Sequence, residues 1–207
     1  MSELEAIALR LFDERGFTNV TVEEIALEAR ISVRTFYRYF ASKEDVLQLR
    51  IIRRSKVLRE ALAARPINEP PLRSLRVALE EEFSVVDPIA LRRWIAVIAD
   101  NPNVMKGVVG AIQLNIQPVI AEFFGTRLGL SSDALAPTML AAAALGVVQA
   151  AHTQWFVHEG DFATRMSDSL AFLERAISTD PSSWTVAQDA KSAAPVSKRG
   201  RPRPRAR

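Results

Sequence analysis

The chain has 207 residues, 27 of them Lys or Arg and 24 Asp or Glu, and 48% of it is apolar. That length can bury a sizeable core and hold a small domain joined to a medium one. No uninterrupted apolar run reaches the roughly 18 residues of a membrane span, and the segment Met1 to Gly16 carries acids where a secretion signal needs a basic start. The expectation is a soluble, cytoplasmic protein with no membrane partner. Cysteine is absent, which removes disulfides, thiolate metal sites and cysteine nucleophiles.

Charge is unevenly spread. Seven basic residues and no acids lie between Lys191 and Arg207, which leaves 20 basic against 24 acidic residues before them, a body of charge −4. Residues 1–65 hold 12 basic and 10 acidic side chains. So slight an excess favours DNA only if it gathers on one face.

Apolar residues recur at helical spacing along almost the whole chain, and no run alternates as a strand would, so the fold class is all-α. The first helix, about 2–15, sets Leu4, Ile7, Ala8, Leu11 and Phe12 on one face and stops at Gly16, suited to a left-handed C′ position. Thr21 with Glu24 forms a capping box for a helix of about 22–28, Ser32 caps one of about 33–39, and Ser42 with Asp45 opens one of about 43–64. A proline-bearing segment, Arg65 to Pro71, reads as a boundary. Helices of about 72–86, 88–99, 103–127, 133–158 and 161–178 follow, with Pro118 expected to kink or divide the third. From Thr179 the composition is that of a disordered tail.

The two short helices at 22–28 and 33–39, joined by a tight turn, have the arrangement that presents a second helix to the major groove while the first braces it. At 100° per residue about Phe36, Phe40 and Val33 lie at about 40° and 60°, and Arg34 and Arg38 at about 160° and 200°. The helix therefore has an apolar back and a cationic front, flanked by Thr35 and Tyr39 on one side and Tyr37 on the other. Arginine bonds bidentately to guanine, threonine meets a thymine methyl or a phosphate, and tyrosine hydroxyls reach phosphates. Lys43, in the next helix's first turn, is placed to grip a phosphate. By periodicity alone an aromatic core helix with solvated arginines explains the same pattern.

The run Thr21 to Leu47, preceded by Leu11-Phe12 and Gly16-Phe17, closely resembles the DNA-binding domain of the TetR family of bacterial repressors, over about residues 4–50. The resemblance implies an N-terminal three-helix helix-turn-helix domain (1–46) joined to a helical ligand-binding and dimerisation domain (47–178), followed by the tail (179–207). It implies double-stranded operator DNA as partner, with Thr21, Ser32, Val33, Arg34, Thr35, Tyr37, Tyr39 and Lys43 at contact positions and Arg38 beside them. Two departures stand out. Arg30 occupies a turn position where the family usually has glycine, at a cost on the order of 1 kcal/mol if that position is left-handed, and the basic arm that many members carry before the first helix is missing.

The resemblance also implies that the last two long helices pair across a two-fold axis. Stripes at Leu140, Ala144, Val147, Val148, Ala151 and Trp155, and at Phe162, Met166, Leu170, Leu173 and Ile177, support a homodimer, although an intrachain core explains them equally. Trp94, Gln113, Phe123, His152, Trp155 and Phe156 are candidates to line an effector cavity with a few polar anchors, suited to an apolar or acyl-type small molecule. No spacing marks a metal site, a cofactor or catalytic machinery, so the chain is expected to be no enzyme. In the tail, Lys198 to Arg203 resembles an AT-hook, whose Arg199 and Arg201 would enter the minor groove of A·T-rich DNA; a solvated polybasic tail is the alternative. The function expected is a ligand-responsive repressor released from a palindromic operator, with an activator or architectural factor using the tail as the alternative.

Overall fold

The computed structural model describes residues 2–158 and 160–177. Their regular structure is ten α-helices and a single 3-10 turn, with no strand. Arg199 and Arg201 lie outside the described residues.

In α1 (Ser2–Arg15), Ala8, Leu11 and Phe12 are buried as the stripe predicts. The helix ends where the Gly16 N–H donates to Phe12 O at 2.9 Å. Gly16 has the expected positive φ of 83°, but its ψ of 141° is extended rather than left-handed helical. Only glycine takes that combination readily, and it leads the chain straight into the 3-10 turn Phe17–Asn19, whose Phe17 ring packs 4.8 Å from Phe12.

Next come α2 (Val22–Glu28), α3 (Val33–Tyr39) and the long α4 (Lys43–Ala63). The N-terminus of α4 is satisfied by Asp45, which accepts from the N–H groups of Ala41 and Ser42 at 2.9 and 3.1 Å. Because α4 packs on α1 at one end and on α5, α7 and α8 further along, it belongs to both halves of the molecule. The segment after it is tied down. Arg65 donates to Glu69 at 2.7 Å, Ser74 Oγ donates to the same carboxylate at 2.7 Å, and Arg127 reaches the carbonyls of Arg65 and Ile67.

Four helices then begin with proline in the first turn, where a missing N–H costs nothing: α5 (Pro71–Ser84), α6 (Pro88–Ala99), α7 (Pro102–Asn115) and α8 (Gln117–Leu128). The helix read as 103–127 is thus two helices. Pro118 cannot donate to the carbonyl one turn back, and the chain re-nucleates at Ile116. Last come α9 (Leu135–Val157) and α10 (Phe162–Ile177), which pack on one another, α9 also on α8 and α10 also on α5. Fully buried Leu58, Leu75, Leu91, Phe124, Trp155 and Met166 fill the space between them.

Two described stretches, Pro102–Leu128 and Leu135–Val157, are long and apolar enough to cross a bilayer by length and composition. The first is broken at Ile116. Less than a third of the second is buried in this chain, and Leu135, Met139, Phe156 and Val157 stand exposed on it, as does Phe172 on α10.

Candidate nucleic-acid interface

The turn between α2 and α3 is fixed by backbone bonds at the end of α2. Ile31 N–H donates to Ala26 O at 2.9 Å and Arg30 N–H to Leu27 O at 3.1 Å, the paired 6→1 and 5→2 bonds of a Schellman motif. That motif needs a left-handed residue at Arg30, whose φ is 54°. The conditional expectation for this position is therefore met: a residue with a Cβ sits where glycine is at ease.

Each short helix is held by its cap. The Glu24 N–H donates to Thr21 Oγ1 at 3.2 Å and the Thr21 N–H to Glu24 Oε2 at 2.9 Å, closing the box read from the sequence. That backbone bond, with help from Arg15, holds the Glu24 carboxyl below its ordinary range. Thr35 N–H donates to Ser32 Oγ at 3.0 Å, and the Ser32 and Thr35 hydroxyls lie 2.8 Å apart. Thr21 and Ser32 thus spend their hydroxyls on backbone N–H groups and Thr35 spends its own on Ser32, and a phosphate would share or replace those bonds.

Phe36 is wholly buried and Phe40 nearly so, the two rings 5.2 Å apart, while Val33 is half-buried against the core. This back forces Arg34, Tyr37, Arg38 and Tyr39 outward, and all four are exposed. Tyr37 and Tyr39 are large apolar rings left more than half exposed, which a helix needing only a core would not require. The Arg38 guanidinium lies 4.7 Å from the Tyr39 ring centre and donates to the Tyr39 hydroxyl at 3.0 Å. Arg34 has no hydrogen-bond or ion-pair partner among the described residues. It is a cation held ready in water.

Lys43 departs from expectation. Its ammonium donates to Phe17 O at 2.6 Å and Val20 O at 2.7 Å, beneath the Phe17 ring at 4.5 Å. A lysine has three donors, and two are committed to stapling the α1–α2 connection to α4. In this conformation Lys43 fixes the head's geometry rather than offering its charge to a phosphate.

The residues singled out for an effector cavity do not gather at one place. Gln113 is exposed on α7, Phe156 is 39% exposed on α9, and half-buried Phe123 carries the Arg127 guanidinium 5.0 Å from its ring. Trp94 is buried, its N–H donating to Leu47 O at 3.3 Å. His152 and Trp155 do converge, on Phe162: the imidazole stacks on that ring at 4.3 Å and the indole lies 5.2 Å from it. Burial, then the nearby charges of Arg54 and Arg50, pushes the His152 pKa down to about 3, against a bond to Val148 O that raises it. The imidazole is neutral.

Beside this aromatic group stands a set of charges that sequence reasoning missed. Arg54 of α4 pairs with Glu82 of α5 at 2.5 Å and lies 4.1 Å from the Phe83 ring, both partners largely buried. Arg50, one turn earlier, is pulled below the usual guanidinium range by burial and by Arg54. The available signal was their place on the stripe of α4 that otherwise holds Leu47, Ile51, Leu58 and Leu62, all buried.

An exposed recognition helix braced by a second and joined through a long helix to an all-helical body defines a DNA-binding regulator. Residues 6–49 match the family described as bacterial regulatory proteins of the tetR family, and residues 69–178 match the MftR C-terminal domain. The chain belongs to the TetR family. It is 28% identical over 157 residues to the putative mycofactocin biosynthesis transcriptional regulator MftR of Mycobacterium tuberculosis, covering 74% of this chain and 78% of that one. It is 26% identical over 159 residues to the transcriptional regulator TcmR of Streptomyces glaucescens, covering 72% and 70%. Among solved structures, the FadR repressor of Thermus thermophilus in complex with lauroyl-CoA shares the fold, with a TM-score of 0.58 at 20% identity over 86% of this chain and 95% of that one. Such proteins are transcriptional regulators and not enzymes, and homodimers are typical of them.

Proposed function

We propose that this protein is a ligand-responsive repressor that works in the cytoplasm as a two-fold dimer. Its paired α3 helices read a palindromic operator, and binding of a small effector in the helical domain releases them. The observation that carries this reading is the exposed cationic and aromatic face of α3 over a buried Phe36, coupled to the body through the long helix α4. Arg34 and Arg38 are the base readers, Ser32, Val33, Thr35, Tyr37 and Tyr39 set register on phosphates and methyls, and Thr21 marks the contact at the start of α2.

Pairing of α9 and α10 with a second copy is supported by their uncovered apolar residues and by a cleft of about 680 Å³ between them, lined by Val147, Ala150, Arg165 and Phe172 among others. An effector with an apolar body is supported by the aromatic group of Phe83, His152, Trp155 and Phe162. Release follows if the effector binds more tightly to the state whose recognition helices are wrongly spaced for DNA.

Selection of bound duplexes from a random pool, followed by footprinting, tests the reading. The expected result is a palindrome with two half-sites about one helical turn apart, overlapping a promoter. Sequence-independent binding would remove the repressor. In the same assay, deletion of residues 190–207 is expected to weaken binding and flatten its salt dependence, most on A·T-rich flanks, if Arg199 and Arg201 enter the minor groove. Unchanged binding at low and high salt would remove the tail from the interface.

A further inference from the structure

We infer that Arg50 anchors the anionic headgroup of the effector, a carboxylate or phosphoryl group carried on an apolar body. The inference rests on the helical domain being the ligand-binding part and names the class of ligand it takes.

Arg50 lies on the inner stripe of α4, in the turn between Leu47 and Ile51 on one side and Arg54 on the other. Its Nε is buried and has no acceptor, and the residue has no hydrogen-bond or ion-pair partner among the described residues. What it faces is the Trp94 ring, 5.7 Å from the guanidinium. An aromatic face attracts a cation but accepts none of its directed N–H bonds.

The carboxylates that bear on it are committed elsewhere. Glu5 is paired with Arg53 at 2.9 Å, and Glu82 pairs with Arg54 through one oxygen while its other oxygen is buried without a donor. His152 is neutral. The half-buried cluster of Arg50, Arg54 and Glu82 therefore holds one positive charge beyond what its own residues neutralise. Buried charges are ordinarily paired, because desolvation penalises an isolated ion. One singly charged headgroup with a planar or tetrahedral set of oxygens supplies the missing acceptors, and guanidinium geometry suits both.

The surroundings define the rest of the ligand. Trp94 flanks Arg50, while Phe83, beneath Arg54, leads on to His152 and Phe162, an apolar and aromatic wall against which a chain or ring can lie. The position also suits release of DNA. Arg50 is seven residues from Lys43, about 10 Å along the helix at 1.5 Å per residue, and Lys43 is stapled to the carbonyls that seat the reading head. A group inserted between Arg50 and Trp94 bears on the contact that holds α6 to α4, the Trp94 N–H to Leu47 O bond.

The test uses the full-length protein and three amphiphiles with the same tail: dodecanoate, dodecyl phosphate and dodecanol. Binding is followed by tryptophan fluorescence and titration calorimetry. The expected result is that dodecanoate or dodecyl phosphate binds at least about tenfold more tightly than dodecanol, the worth of a charge-assisted bond. In Arg50→Met the ratio falls to near one. A wild-type ratio near one, or a ratio that survives in Arg50→Met, overturns the proposal.

A melting series covers the case in which no twelve-carbon tail fits. Inorganic phosphate is then expected to raise the wild-type Tm above its value in chloride at equal ionic strength, and to leave the Tm of Arg50→Met unmoved. Equal responses overturn the proposal, as does an Arg50→Met protein that melts several degrees lower in chloride, which would make Arg50 a structural group. Operator release separates this inference from the function it rests on. Release by dodecanol as effectively as by dodecanoate leaves a ligand-responsive repressor without the anion anchor, whereas Arg50-dependent binding with no change in operator affinity leaves the anchor and removes the effector role.

Discussion

Arg34 and Arg38 on α3, and Arg50 and Arg54 on α4, are two pairs of arginines with the same four-residue spacing, and their surroundings differ completely. The first pair stands over a buried Phe36 with its charges in water. The second is folded into the body against Phe83, Trp94 and a single buried carboxylate. Residue type and spacing are the same in both, so what each pair can do is decided by the element that covers it. Among the described residues nothing covers the outer face of α3, whereas α5, α7 and α8 pack on α4 and Trp94 of α6 lies against Arg50.

The sharpest way to separate the pairs is to remove one member of each and ask which property fails. Arg34→Ala is expected to lose about 1–3 kcal/mol of operator binding per half-site, hence about 30-fold or more for a two-fold complex. Its stability should stay within about 0.5 kcal/mol of wild type, as for an exposed side chain without partners. Gel-shift titration and chemical denaturation measure the two. A variant that melts early while binding normally would place Arg34 in the core.

Arg54→Met should do the reverse. It leaves Glu82 buried without its cation, a change that costs about 3–5 kcal/mol, and the double variant Arg54→Met/Glu82→Met should recover much of that loss because no charge is left stranded. Denaturation of the three proteins closes the cycle. A double variant no better than the single would mean that packing of the Arg54 stem on Phe83, rather than the charge, holds α4 to α5.

The contrast also marks how far the sequence could be read. The reading head was legible because its signals are local: Thr21 with Glu24, Ser32 as the cap of α3, and apolar residues three and four apart are resolved within one or two helical turns. Lys43 was not, because the carbonyls that occupy it lie 23 and 26 residues earlier in the chain. A positive φ at Gly16 could be read, but its extended ψ could not, since glycine admits both. Pro118 announced a break in the helix. Gln113 and Phe156 could not be placed from the sequence because α7 and α9 are apolar around much of their circumference, so no stripe tells which side faces inward. Arg50 and Arg54 sat among Arg53, Lys56 and Arg59 in a run that resembles any solvated cationic face, until a helix stripe is drawn and its inner side is known.

The interior pair also makes a prediction about pH. The unfolded His152 takes up a proton near 6.5, but in the folded protein burial and the charges of Arg54 and Arg50 delay that to about 3. Between those values the unfolded state binds more protons, so this contribution to stability is complete above about pH 6.5 and declines as pH falls toward 3, by at most about 1.4 kcal/mol per unit. Denaturation at pH 7.5, 6.5 and 5.5 should show a steeper acid loss for the wild type than for His152→Gln. Parallel slopes would mean the imidazole is solvated enough to titrate normally.

The smallest expected effect lies in the turn that aims the outward pair. At the end of α8 the left-handed position belongs to Gly129, with φ 66°, whereas at the end of α2 it belongs to Arg30, with φ 54°. The same backbone geometry is thus filled once by a residue without strain and once by a residue that carries about 1 kcal/mol of it. Arg30→Gly should therefore stabilise the protein, raising Tm by about 2–4 °C for a chain of this size. If arginine stands there to reach a phosphate, the same variant should also bind operator more weakly and reduce the salt slope by about 0.9 per phosphate contact, near 1.8 for two half-sites. A gain in stability with an unchanged salt slope would make the strain at Arg30 a matter of turn geometry alone, and DNA contact would then rest on the α3 face.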